Sequence, residues 1–253
     1  LYSYRDLLYV FIWREFSLRY KQSVFGILWA VIQPLSMMLL FTAVFTYIMP
    51  TKVSNYPYAT FFFAALLPWT FFSGSLNYAV PSLSTHYQLI TKIYFPREIL
   101  PFAGIAVGAV DYALSLIFYF FLLLLFDISI SFTFLWILPL TALLILFTAA
   151  ISLLLAALNV YYRDVRLAIN FLIQTWFFAT PIFYSIDAVP QSIKPLLFLN
   201  PLTFLVENIR RCTLENRDIV LWQFCVMTLL ICIVAFWCYR FFKITERKFA
   251  DVI

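Results

Sequence analysis

The sequence predicts an all-α, polytopic membrane protein with six transmembrane helices, an amphipathic interface helix and re-entrant helices near residue 200. Two features of the composition carry this prediction: 64% of the 253 residues are hydrophobic and only 11% are charged. Average soluble domains are about 45–50% apolar and about 25% charged. The third observation is that the few charges leave long apolar stretches between them, and about 20 such residues suffice to cross a bilayer.

The same composition excludes several classes of function. The chain has four glycines, and neither G-x-x-x-x-G-K-[ST] nor G-x-G-x-x-G occurs, so it lacks the common nucleotide-binding loops. One histidine and four cysteines without C-x-x-C spacing predict neither a metal site nor a disulfide framework. The net charge of +5 is dispersed between apolar stretches, which favours a topology signal over a nucleic-acid surface.

Six spans follow from the stretches that lack charges, within a single membrane domain at 1–253. Twelve of the 17 basic residues fall on the side of both termini, which places the termini in the cytoplasm. The spans are expected at residues 25–48, 58–80, 100–126, 134–158, 166–186 and 219–240.

Residues 1–22 precede the first span and combine charges near helical spacing with aromatic side chains. This pattern predicts an amphipathic helix in the cytoplasmic interface, and the alternative is a simple cationic anchor for the first span. The charges also argue against a cleavable signal peptide. The charged residues assigned to this interface helix are Arg14, Glu15, Arg19 and Lys21.

The cytoplasmic link at 81–98, here called the coupling segment, is too polar to face lipid and is bracketed by Pro81 and Pro96. A short helix between two prolines favours docking of a cytoplasmic partner. An ordinary loop between spans is the alternative. The candidate contact residues are Thr85, His86, Tyr87, Gln88 and Lys92.

Asp111 lies near the middle of the third predicted span. An acid at the bilayer centre costs about 2.5–3.5 kcal/mol on insertion scales, so it must face a partner or a wet cavity. No second acid lies deep in another predicted span, which favours a structural or channel-lining role over proton carriage. Gly104 and Gly108 nearby form a G-x-x-x-G pattern, which is typical of close helix packing.

Residues 187–218, here called the outer segment, are the last irregular stretch. Their apolar run at 195–206 reaches only about 18 Å at 1.5 Å per residue, short of the bilayer core of about 30 Å. A re-entrant or interfacial helical pair on the outer side fits best, which makes the segment a candidate gate. Arg210 and Arg211 either form ion pairs with Glu207 or Glu215, or contact an anion such as a phosphate.

Five motifs resemble, in the same order, stretches of the ABC-2-type permeases of polysaccharide exporters. Members of that family export O-antigen, capsule or teichoic-acid polymers on a lipid carrier. One departure is Phe204, where many members have proline, and it concerns the shape of the gate. The motifs are GILWAVIQPL at 26–35, KIYFPREILP at 92–101, NVYYRDVR at 159–166, TPIFYS at 180–185 and NPLTFLVENIRR at 200–211.

The resemblance implies a permease subunit that is not itself an enzyme. It would sit in the bacterial inner membrane as a homodimer with two copies of a separate ATPase, which would carry ATP and Mg. Its substrate would be an undecaprenyl-type lipid-linked polysaccharide, and the compact chain favours O-antigen.

The resemblance also assigns further site residues. It extends the cytoplasmic contact to Arg97, Glu98, Arg163, Asp164 and Arg166, and it places Glu207, Arg210 and Arg211 in the outer gate. Aromatic residues make up 21% of the chain, and rings of the first, second and fifth spans would line a path along the dimer axis. The expected lining residues are Trp29, Phe62, Trp69, Phe72, Trp176 and Phe177.

Three other functions are alternatives to this one. The first is an ABC-2 permease for a small lipid or drug. The second is an intramembrane transferase, against which Asp111 and His86 lie on different elements. The third is a proton-coupled transporter that uses Asp111.

Overall fold

The computed structural model describes residues 4–21, 23–48, 56–93, 95–162 and 164–249, and the regular structure in these ranges is helical throughout. Short 3₁₀ or π turns extend several helices, among them Gly26–Leu28 before the second helix and Val44–Ile48 after it. The α-helices are α1 (Arg5–Tyr20), α2 (Trp29–Ala43), α3 (Tyr58–Ala79), α4 (Ser82–Thr85), α5 (Tyr87–Lys92), α6 (Ile99–Leu125), α7 (Ile137–Tyr161), α8 (Asp164–Phe178), α9 (Lys194–Phe198), α10 (Pro201–Thr213) and α11 (Leu221–Thr245).

Five helical stretches in the described part of the chain are long and apolar enough to cross a membrane. They are Gly26–Ile48, Tyr58–Thr85, Ile99–Leu125, Phe132–Tyr161 and Leu221–Thr245. These stretches match five of the six predicted spans, and they make the chain a multi-pass membrane protein.

The expected span at 166–186 is not a helix of spanning length. Its helical part, α8, has 15 residues, which is about 22 Å against a bilayer core of about 30 Å. The helix stops at Phe178 because Thr180 precedes Pro181, and the residue before a proline disfavours the helical conformation. From Ala179 to Tyr184 the chain continues as turns and bends rather than as helix.

Helix α3 lies at the centre of the molecule, and every residue from Ala59 to Trp69 is buried. It packs against α2, α6, α7 and α10. Its contact with α6 is close because Gly104 and Gly108 lack side chains. A Cβ at Gly104 would lie 3.2 Å from the Tyr78 Cβ, and one at Gly108 would lie 2.6 Å from the Ser75 Oγ. The G-x-x-x-G pattern therefore acts in helix packing, as expected.

A second, smaller core gathers the ends of several elements at one pole of the molecule. The first turns of α6 meet α1, the coupling segment and the C-terminal ends of α7 and α11 there. Phe249 and Phe242 are fully buried in it. Its buried members are Phe11, Leu83, Ile90, Phe95, Ile99, Leu100, Ala103, Leu153, Ala156, Ala157, Phe242 and Phe249.

Helices α2 and α11 lie at the periphery of the bundle. Only 17% of the most apolar window of each is buried, compared with 83% for the stretch that contains α3. The buried residues of α2 are Ala30, Pro34 and Met38, which form one stripe at helical spacing. The remaining apolar surface of both helices is free to meet lipid or another chain.

Candidate functional site

The acid in the third span is bound by the N-terminal helix. The Asp111 carboxylate accepts a hydrogen bond from the Tyr20 hydroxyl and pairs with the Arg19 guanidinium. Burial and the neighbouring Asp111 raise the pKa of the Tyr20 phenol, which keeps it protonated as the donor. The charge of Asp111 is therefore paired within the chain.

Helix α1 packs lengthwise along the first half of α6. Near its middle, the Phe11 ring stacks on Phe95 with the ring centroids 6.0 Å apart, and at its end Tyr20 reaches Asp111. Phe11 and Tyr20 are its buried residues. Arg14 and Lys21 are exposed, whereas Glu15 lies 3.6 Å from the His86 Nε2. The predicted N-terminal helix is present, and α6 fixes its position.

The coupling segment folds into two short helices, α4 and α5, rather than one. The break falls at His86, whose φ of −103° and ψ of 29° leave the helical range. The His86 ring turns inward, where its Nδ1 lies 2.8 Å from the Ser82 carbonyl oxygen. The other predicted contact residues are exposed on the surface at this pole: Thr85, Tyr87, Gln88 and Lys92.

Arg97 and Glu98 bond within the chain, which their assignment to the cytoplasmic contact surface did not anticipate. Glu98 is buried and its Oε2 lies 2.6 Å from the Nζ of Lys243. Arg97 donates to the Glu246 carbonyl oxygen and lies over the Phe249 ring. Through these contacts the charged groups of both residues bind the end of α11 to the start of α6.

The second cytoplasmic motif is described only in part. Asp164 and Arg166 are exposed in the first turn of α8. Arg163 lies outside the described residues.

Arg210, on α10, forms the most completely bonded polar site at the opposite pole. The guanidinium is 4% exposed, and its NH1 and NH2 donate to the Pro181 and Ile182 carbonyl oxygens, each at 2.7 Å. Its Nε donates to the Phe61 carbonyl oxygen at 3.2 Å. Arg210 thus satisfies the backbone where α8 has stopped, which is the condition for irregular backbone at membrane depth.

The charge of Arg210 is matched by Glu207, whose Oε1 lies 2.8 Å from NH1. Burial raises the pKa of the Glu207 carboxyl, and the Arg210 guanidinium opposes that shift. With these bonds formed, Arg210 is not available to a phosphate, so the ion pair is the alternative that the structure contains. Arg211 is partly exposed and donates from Nε to the Asp218 carbonyl oxygen at 2.9 Å.

Asn200 joins α10 to the end of α8, a contact that is not among those predicted from the sequence. The Asn200 side chain caps α10 by accepting from the Leu202 amide at 3.1 Å, while Pro201 fills the first helical position. The same oxygen accepts from the Trp176 indole at 3.0 Å, and the Asn200 amide donates to the Thr180 Oγ1. The Asn-Pro pair at 200–201 was the available signal, since it is typical of a helix start.

The outer segment contains a helical pair, but its members differ. Helix α9 has five residues, none of them buried, whereas most of α10 is buried against α3 and α7. Phe204 is buried and helical, and its amide donates to the Asn200 carbonyl oxygen at 3.4 Å, a bond that proline could not form.

Most of the expected channel-lining aromatics are in the core instead. Phe62 and Phe72 have no exposed surface, and Trp69 and Phe177 are also buried. These rings pack on one another and on α7, for example Phe72 on Phe147 at 5.7 Å. The structure corrects their assignment to a channel wall, because side chains that fill the core of the chain cannot face a path. Trp29 and Trp176 retain exposed surface.

Within the described ranges, no three His, Cys, Asp or Glu residues gather as a metal site would require. The four cysteines are unpaired: Cys212 and Cys238 are buried, and Cys225 and Cys232 are exposed.

Comparison with known proteins gives the family. Residues 6–214 match the model of the ABC-2 type transporters. The chain belongs to this family. It is 33% identical over 223 residues to the O-antigen export system permease protein RfbA of Myxococcus xanthus, covering 86% of this chain and 84% of that protein. It is 29% identical to the RfbA protein of Klebsiella pneumoniae over 202 residues, covering 79% and 77% of the two chains.

A further relative is the polysialic acid transport protein KpsM of Escherichia coli, at 23% identity over 211 residues and with 80% and 79% of the two chains covered. The family match spans α1 to α10, so the helix bound to Asp111 and the Arg210 site both lie within the ABC-2 region. As an ABC-2 permease the chain is a transport subunit rather than an enzyme.

Proposed function

We propose that this chain is the membrane-spanning subunit of an ATP-driven exporter of polysaccharide, with O-antigen as the substrate. The observation that carries the proposal is the similarity to an O-antigen export permease over 84% of that protein, at 33% identity. Similarity to a polysialic acid transporter supports the wider class of sugar polymers. A permease for a small lipid or drug is not favoured by these relatives.

ATP would be hydrolysed on a partner subunit that carries the Mg ion. The exposed surface of α4 and α5 is the proposed seat for that partner. Thr85, Tyr87, Gln88 and Lys92 supply hydrogen-bonding groups and one positive charge there. The second core braces this surface from below, since Leu83 and Ile90 are buried in it. A change of shape in the partner is thereby passed to α1, α6 and α11.

The functional unit would be a homodimer with two ATPase subunits. The apolar outer faces of α2 and α11 support this proposal, because one chain leaves both largely uncovered. Trp29 on α2 is 46% exposed and offers an aromatic surface to a path between two copies. The Arg210 site would hold α8, α3 and α10 together beside the outer mouth of that path.

The substrate would arrive on an undecaprenyl-type lipid from the inner leaflet of the bacterial inner membrane. The excess of basic residues on the side of both termini supports a cytoplasmic location for them. The pole with α4 and α5 is then cytoplasmic and the pole with Arg210 is external.

The test is depletion of the protein in its own host, followed by assays of surface glycan and of lipid-linked polymer inside the cell. We expect surface polymer to fall and the lipid-linked form to accumulate, and the trapped polymer would identify the substrate. Unchanged surface glycan without accumulation would reject the proposal in favour of a lipid or drug permease.

A further inference from the structure

A polar cavity of about 440 Å³ lies among α1, α2, α3 and α6, between the middle of α6 and the half of α3 that leads into α4. Two helices each present one stripe at helical spacing to it. From α3 the lining residues are Thr70, Phe71, Ser73, Gly74, Asn77 and Tyr78, and from α6 they are Gly108, Asp111, Tyr112 and Ser115. Nearly all of α3 outside this stripe is buried, so the stripe forms the accessible polar face of that helix.

Two amides in this cavity have no hydrogen-bond partner in the described part of the chain. They are Gln33 on α2 and Asn77 on α3, and both are exposed. An unpaired amide in contact with hydrocarbon is costly, so these groups must meet water or a polar ligand. The cavity therefore offers free donors and acceptors at membrane depth.

The charge of the cavity is balanced. Arg19 and Asp111 both line it, and they pair with each other. A phosphate would gain the attraction of Arg19 but would meet the repulsion of Asp111 at the same place. A neutral ligand rich in hydroxyls meets no such repulsion, because amides, the carboxylate and the guanidinium all form hydrogen bonds with hydroxyl groups. The exposed Tyr78 ring adds an apolar face on which a sugar ring can stack.

Gly74 shows that the space is not a by-product of close packing. A Cβ at this position would have no atom within 4 Å, whereas one at Gly108 would collide with Ser75. Gly108 is explained by the contact between α3 and α6, but Gly74 is not. Glycine within a helix costs about 1 kcal/mol relative to alanine, and here it leaves the cavity open.

We propose that this cavity is a binding site for a neutral sugar unit of the transported glycan, with Gln33, Asn77 and the Arg19–Asp111 pair as its polar groups and Tyr78 as its stacking surface. The volume lies within the usual range of about 300–1,000 Å³ for ligand sites. The identity of the ligand as part of the cargo rests on the proposed export function. Because Arg19 and Tyr20 belong to α1, the site also places that helix beside the bound sugar.

The test is a titration of the purified full-length chain, in lipid nanodiscs, with a short neutral oligosaccharide cut from the host's surface glycan. Gly74→Leu adds a side chain where the structure has open space, and we expect it to weaken binding by about tenfold or more. Asn77→Ala removes one hydrogen-bonding group without adding bulk, and a loss of about fivefold corresponds to one such bond. Ile117→Phe, on the exposed side of α6, is the matched control and should leave the affinity unchanged.

The outcomes separate this proposal from the proposed function. Equal binding by the unmodified chain and both cavity variants, or no binding by the unmodified chain, overturns the sugar site and leaves a cavity that holds water only. A sugar-free polyprenyl diphosphate that loses affinity as strongly in the variants also overturns it, in favour of a lipid headgroup. Neither result changes the depletion assay of surface glycan, which alone decides whether the chain is a glycan exporter.

Discussion

The Arg210 side chain supplies hydrogen bonds to backbone carbonyls, which within a helix come from the helix's own amides. Where α8 ends, the Pro181 and Ile182 carbonyls lack helical donors, and one guanidinium supplies them. Its planar fork of five donors suits this arrangement, whereas a lysine would deliver a single point charge. The Phe61 ring lies against the guanidinium at 3.5 Å, which closes the site on its remaining side.

Replacing Arg210 with glutamine should therefore destabilise the protein strongly. We expect a loss of about 3–5 kcal/mol, because the change leaves Glu207 and the two carbonyls without their donor. The measurement is thermal or denaturant unfolding in detergent. Arg211→Gln is the matched control, and its partly exposed side chain should change stability by about 0.5 kcal/mol or less. Equal effects of the two changes would contradict the assignment.

Asp111 is the residue on which the position of α1 depends. Asp111→Asn keeps an acceptor for Tyr20 but leaves Arg19 without its counter-ion. Hydrogen bonds to charged groups contribute about 1.5–3 kcal/mol, so we expect α1 to detach more often. Faster hydrogen exchange of the α1 amides would report this change, with the amides of α11 as the internal reference. Arg19→Gln combined with Asp111→Asn should recover part of the protection, since neither charge is then left alone.

The same variant distinguishes the structural role of Asp111 from proton carriage. A proton carrier that loses its acid stops transporting even where the fold is intact. We expect export by Asp111→Asn cells to fall only in proportion to the loss of α1 protection. Complete loss of export with unchanged protection would support the proton-coupled alternative.

At the scale of elements, the residues of the coupling segment divide between the exposed surface and the second core. Gln88 and Lys92 are exposed on α5, while Leu83 and Ile90 hold the segment to the second core. Arg97 and Glu98 lie beyond α5 and bind the end of α11. A surface formed by short, braced helices can present side chains without unfolding when a partner moves.

Gln88→Ala with Lys92→Ala should break the functional contact between the ATPase partner and this chain. The expected result is loss of both surface glycan and stimulated ATPase activity, with stability unchanged within about 0.5 kcal/mol, because these side chains make no buried contacts. The matched control is Arg247→Ala, an exposed cation near the same pole. Normal export by the double variant would show that the partner docks elsewhere.

The two poles of the whole molecule give a direct test of topology. Thr85 and Leu196 are exposed at opposite poles. In a chain freed of its four cysteines, a membrane-impermeant maleimide added to intact spheroplasts should label a Leu196→Cys variant and not a Thr85→Cys variant. Labelling of Thr85→Cys from outside would reverse the proposed orientation. Permeabilised membranes, in which both variants should react, are the control.

Much of this architecture can be predicted from composition, because the spans are surrounded by lipid and must be apolar. Long charge-free stretches located five helical spans, and the G-x-x-x-G pattern predicted the close contact of α3 with α6. The free-energy cost of a charge at the bilayer centre is enough to predict that Asp111 needs a partner. These inferences succeed because hydropathy and small-residue spacing act locally along the chain.

The partners themselves were decided only by the tertiary structure. Nothing local to Asp111 names Arg19 and Tyr20, which lie more than 90 positions away along the chain. The Phe62 and Phe72 rings could have faced a channel or the core, and only the packing of α3 against its neighbours buries them. The shortened α8 and the role of Arg210 follow the same rule. A proline marks where a helix stops, but the donor that satisfies the broken backbone comes from whichever element the fold brings beside it.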